Sequence, residues 1–118
     1  MQKNKLFFFL LFSSNIFAVE YGELFFQGNC KTCHHKTKSI SAPSMKLVQD
    51  TYKRAFPRQK EFVEYMSNWV AHPNAQTSLM HQAIQKYSLM PELVFDKETL
   101  KTISKYIYNT EFQKNNYE

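Results

Sequence analysis

The hexapeptide CKTCHH at residues 30–35 sets Cys30 and Cys33 three apart, with His34 directly after them. Three chemistries use such spacing. Paired thiols can form a disulfide switch, can supply half of a tetrahedral zinc site, or, followed by histidine, can anchor haem covalently. The rest of the chain discriminates among them. A redox Cys-x-x-Cys sits between a strand and a helix in a βαβ pattern, and no segment here reads convincingly as a strand. A closed zinc site needs four ligands, yet the chain has only two cysteines, and His72 and His81 lie nine apart. A structural disulfide between Cys30 and Cys33 would close a very small ring and remove little unfolded-chain entropy. Haem attachment requires what is present: two thiols to add to the two vinyl groups, and an adjacent imidazole to bind the iron.

An electron-transfer iron takes a sixth ligand, and Met90 is the outstanding candidate. It lies in Leu89-Met90-Pro91, just before the last helical segment. The pyrrolidine fixes the chain beyond the methionine and restricts the residue before it. Met45, Met66 and Met80 fall in helical stretches and read as packing residues. His72 precedes Pro73 at a helix end, where it reads as a cap near the negative dipole end. His81 reads as a surface residue and His35 as pointing to solvent.

The elements that must position these groups come from a chain of 118 residues, enough for one domain. Lys3 and Lys5 precede an apolar run at residues 6–12, a polar break, and Ile16-Phe17-Ala18. That order predicts a signal peptide over residues 1–18, cleaved after Ala18. The run is too short to span a bilayer, which needs about twenty residues, and a retained anchor is the alternative. Residues 19–118 then form the domain. Net charge falls from +5 to +3 once the two leader lysines are gone, and no basic stripe stands out. Nucleic-acid binding is therefore not expected, and no membrane span is expected in the mature chain. Eleven Phe, seven Tyr and one Trp against two Gly suit packing around something large, flat and apolar.

Periodicity predicts a helix over residues 19–29 running into the cysteines and a polar loop over 35–44. A turn or two of helix follows at 45–52. Pro57 opens a longer helix over 58–71, with Phe62, Met66, Trp69 and Val70 on one stripe, and Pro73 stops it. Trp69 reads as core packing. A third amphipathic helix is predicted over 76–87 and a loop over 87–95. Asp96 caps a final helix reaching about residue 110, with Glu98 in its first turn.

The chain resembles the class I c-type cytochromes over most of the mature sequence. The similarity extends beyond Cys-x-x-Cys-His to Gly22 and Phe26, four apart before Cys30, and to Ile103 and Tyr106 on the last helix. The resemblance implies that these pairs meet where the first and last helices cross. It implies that Pro43 offers its carbonyl to the ring N–H of His34, fixing the imidazole and raising its basicity. It also matches Met90-Pro91 to the family's distal segment. Two features depart: Ser88 and Leu89 stand shortly before the methionine, where the family often has glycine, and Glu92 replaces a frequent second proline. The implied fold is all-α, with one covalent haem c held by Cys30, Cys33, His34, Pro43 and Met90, and iron bound by His34 and Met90.

The expected function is one-electron transfer between redox proteins of an electron-transport chain. The protein would work in the periplasm, as a monomer or in transient complexes, and not as an enzyme. A haem-based gas sensor and an electron-transfer subunit of a larger oxidoreductase are the alternatives. In coordinates, a cavity is expected to be lined by Pro43, Trp69 or its neighbours, Leu79, Met90 and residues 30–34. His34 and Met90 should face each other across it.

Overall fold

A computed structural model describes residues 21–113, and the predicted leader at residues 1–18 lies outside them. The described residues contain five α-helices and no strand, giving an all-α fold. Helix α1 spans Tyr21–Phe25 and widens into a π-helical turn over Phe26–Cys30. The wider turn is closed by Lys31 N–H donating to the Phe26 carbonyl at 3.1 Å, a five-residue step. Such widenings recur at functional sites, and this one ends on the first cysteine.

Helix α2 covers Met45–Ala55, three residues longer than the periodicity predicted. Its start is fixed by Ser44, whose hydroxyl accepts the Leu47 N–H at 3.2 Å. It ends where Phe56 takes an extended conformation, as the residue before Pro57 must. Helix α3, Gln59–Ala71, follows the expected register and stops at His72 for the same reason, before Pro73. The third predicted helix is broken in two: a 3₁₀ turn at Ala75–Thr77 and helix α4 at His81–Tyr87. Ser78 explains the break, because its hydroxyl accepts the Met80 N–H at 2.9 Å and competes with the helical partner. Helix α5, Lys97–Asn109, begins as predicted, with the Asp96 carboxylate accepting the Thr99 N–H at 2.8 Å.

Helix α5 is the common partner. It packs along α3 and crosses α1. At the crossing Gly22 is buried, and a Cβ built there would lie 2.7 Å from the Thr102 carbonyl oxygen and 2.8 Å from the Tyr106 Cβ. The absence of a side chain is what lets the two backbones touch. One turn on, the Phe26 ring sits 5.3 Å from Tyr106 and 5.7 Å from Phe112, and shares the core with Ile103. The expected pairing therefore holds, with Thr102 rather than Ile103 against Gly22.

The far end of α5 is tied down by a residue the sequence did not flag. Gln49, buried on α2, donates its side-chain amide to the carbonyls of Ile107 and Thr110, each at 2.6 Å. Those carbonyls belong to the helix end that lacks intrahelical partners.

The two glycines of the first helical segment make a matched test. Gly22→Ala should overpack the crossing and cost about 1–3 kcal/mol. At Gly28 a Cβ would meet nothing within 4 Å, so Gly28→Ala should be neutral or stabilise by about 0.5–1 kcal/mol. Denaturant midpoints of the two variants check the contrast; equal effects would contradict the close crossing.

Candidate functional site

The widened turn delivers Cys30 to a tight reversal. His34 N–H donates to the Cys30 carbonyl at 2.9 Å, and Cys33 N–H reaches the same oxygen at 3.3 Å. Cys30 is half-buried and Cys33 exposed, and both thiols are free. Burial pushes the Cys30 thiol up to about 11. A thiol held protonated is a poor nucleophile for disulfide exchange, which weighs against the redox-switch reading.

The loop over residues 35–44 folds back beside this turn. Met45 N–H donates to the His35 carbonyl at 2.8 Å and Lys46 N–H to Lys36 at 2.9 Å, while the Ser39 hydroxyl accepts the Ser44 N–H at 2.9 Å. This scaffold holds Pro43, whose carbonyl accepts a hydrogen bond from His34 Nδ1 at 2.7 Å. With the proton on Nδ1, Nε2 is the nitrogen left with a lone pair. Burial lowers the His34 pKa and the Pro43 hydrogen bond partly raises it. The balance favours the neutral ring, the form that binds a metal.

Cys30, Cys33, His34, Pro43 and Met90 all line one cavity of about 220 Å³. Helix α2 contributes Met45, Val48 and Tyr52, α3 contributes Met66 and Trp69, and α5 contributes Leu100, Ile103 and Ile107. The walls are predominantly apolar. One water needs only about 10–15 Å³ of such space, so this is a built site and not a packing flaw. It suits a large apolar group with a metal at its centre: an imidazole nitrogen on one element, thioether sulfurs on others, and two thiols at the rim.

Several residues lie elsewhere than the sequence suggested. Trp69 is half-buried and lines the cavity, as expected of it or its neighbours, and is not a core-packing residue; its indole N–H donates to the Asn74 carbonyl at 3.0 Å. Leu79 packs against the core, and its neighbour Met80 lines the cavity instead. Once the predicted third helix is broken at Ser78, Met80 sits at the N-cap of α4 and not within a helix. Met45 and Met66 are buried, as packing residues should be, yet also form cavity wall. His72 does sit at the C-cap of α3, and its Nδ1 lies 3.2 Å from Glu92. His35 and His81 are exposed, as expected.

The segment carrying Met90 has an unusual start. Ser88 has φ 72° and ψ 170°, and it is the one non-glycine residue with positive φ among those described. Glycine adopts that region freely, whereas an L-residue there costs on the order of 1–3 kcal/mol. Ser88 thus keeps a glycine-type backbone without glycine, at the place where the resembling family often has one. Glu92, where a second proline is frequent, lies 3.2 Å from His72 Nδ1, both side chains largely exposed.

A family model described as a cytochrome c-550 domain matches residues 11–117, nearly the whole chain. No curated protein and no solved structure matches. The chain belongs to the cytochrome c-550 domain family and is a c-type cytochrome, an electron carrier whose cofactor is haem c.

The His34 environment sets a pH dependence. Its folded pKa is depressed, so the unfolded chain takes up a proton that the folded chain resists. Stability is fully present above about pH 6.5, the ordinary histidine value, and declines as pH falls below it. Metal ligation gives the same sign, since it too requires the neutral ring. Glu64 and Asp96 also have lowered values, but their contributions are lost nearer the carboxylate range, below about pH 4. Urea midpoints at about pH 7.5 and about pH 5.5 should therefore differ, the lower pH being less stable.

Proposed function

We propose that this member of the cytochrome c-550 domain family is a periplasmic one-electron carrier. It holds one haem c through thioether links from Cys30 and Cys33, with His34 and Met90 as the axial ligands. Residues 1–18 act as a signal peptide, and residues 19–118 form the working domain. The observation that carries this reading is the 2.7 Å bond from His34 Nδ1 to the Pro43 carbonyl, in the wall of a cavity also lined by both cysteines and Met90.

Haem supplies the chemistry, a ferrous–ferric couple. The chain supplies the rest. Cys30 and Cys33 tether the group, so its retention does not depend on the axial ligands. The Pro43 carbonyl holds the Nδ1 proton and orients the ring, which makes Nε2 a stronger donor. The Met90 thioether is a soft ligand that favours the ferrous state and raises the potential. The apolar walls exclude water and favour the less charged, reduced state as well. With His34 and Met90 both holding the iron, the site would turn over no substrate there, and the partners are other redox proteins met in transient complexes. Among the described residues no helix is long and apolar enough to cross a membrane.

Intact mass spectrometry tests the tether and the leader together. Protein from cells competent in haem attachment should have the mass of residues 19–118 plus one haem, and bare polypeptide would refute the proposal.

The sixth ligand needs a paired test, because Met80 lines the same cavity. Met90→Ala should leave haem attached, abolish the far-red ferric band of thioether ligation, and lower the reduction potential. Met80→Ala should leave both signals in place. The reverse pattern would assign the ligand to Met80.

A further inference from the structure

We propose that Ser88 makes Met90 a displaceable ligand, so that this chain also binds small uncharged ligands at its iron; the inference rests on Met90 as the sixth ligand. A non-glycine residue at φ 72° and ψ 170° persists only where its surroundings over-determine it. Here those surroundings are thin. The segment is anchored upstream by Ser88 N–H donating to the Ile84 carbonyl at 2.9 Å, and downstream by the Asp96 cap on α5. Between the anchors, the single backbone–backbone hydrogen bond among the described residues is Phe95 N–H to the Leu93 carbonyl, at 3.0 Å. Val94 is fully exposed, and Leu89, though it touches the cavity, is 42% exposed. The His72–Glu92 contact joins two largely exposed side chains, and pairs of that kind contribute little.

What holds Met90 inward is therefore the apolar contact of Pro91, Leu93 and Phe95 with the cavity, together with the metal bond itself. Relaxing Ser88 to negative φ redirects the chain two residues before Met90 and releases the strain. Serine thus favours the displaced state over what glycine would allow, by about five- to a hundredfold in population. The space that opens is walled by apolar side chains, so the entering ligand is small and uncharged, such as a diatomic gas or neutral imidazole.

The test compares holoprotein carrying the native Ser88 with Ser88→Gly and Ser88→Ala. Carbon monoxide binding to the ferrous form and imidazole binding to the ferric form are titrated, and the far-red thioether band is recorded for each protein. Glycine relieves the strain and alanine does not. Ser88→Gly should therefore weaken both ligands by about five- to a hundredfold, while Ser88→Ala binds like the native chain, with the band kept in all three. Unchanged binding in Ser88→Gly overturns the proposal. So does an equal effect in both variants, which would trace it to the lost hydroxyl. A native protein without the band overturns it differently, by removing Met90 as the ligand.

Discussion

The cavity of about 220 Å³ depends on keeping predominantly apolar walls apart, although burying such surface against itself is favourable by about 25 cal/mol per Å². A chain of this length can keep such a space only if its walls cannot collapse onto each other. The helices meet that condition. Helix α5 is gripped along its middle by the close contact of Gly22 with Thr102 and Tyr106. At its C-terminal end, Gln49 on α2 caps its carbonyls. With these two points fixed and α3 packed along it, α5 presents Leu100, Ile103 and Ile107 to the cavity.

The parts of this architecture that were legible in the sequence are those set by local chemistry. The Cys-x-x-Cys-His turn, the Asp96 cap, the helix start after Pro57 and the stop at Pro73 depend on one residue and its immediate neighbours. The crossing was legible because glycine at a helix step from an aromatic has a steric meaning, even though Thr102 was not foreseen as its contact. What was missed depended on competition or distance. The periodicity of residues 76–87 is helical, and only the Ser78 hydroxyl capturing the Met80 N–H breaks it. That break moves Met80 to the cavity and Leu79 to the core. Gln49 reaches carbonyls some sixty residues away, a pairing no local pattern announces. Trp69 lies on an apolar stripe, and the stripe alone cannot tell a core face from a cavity face.

The two segments that bring His34 and Met90 to the cavity are built on different principles. The segment bearing His34 is a closed hydrogen-bonded scaffold. The Cys30 carbonyl is shared by two N–H groups, the loop over residues 35–44 is stitched to the start of α2, and the Pro43 carbonyl holds the ring. Every group there that fixes the imidazole is itself fixed by another, so the ring has one orientation. The segment bearing Met90 has few backbone bonds and begins at a residue in a conformation that suits glycine.

That asymmetry follows from what each ligand must do. His34 sits beside Cys30 and Cys33, the proposed tether, so any movement of its ring would be a movement of the whole bound group. A rigid scaffold costs nothing in function there. Met90 lies on a segment that carries no tether, and in the proposed assignment its hold would be the sum of a soft metal bond and apolar contacts, opposed by the strain at Ser88. Glycine at that position would remove the opposition and leave a firmer carrier. Serine keeps the same backbone path, so the geometry of the closed site is unchanged, and shifts only the balance between closed and open. The Cβ of Ser88, the atom that separates its backbone preference from that of glycine, would in this way set how exclusively the proposed site serves electron transfer.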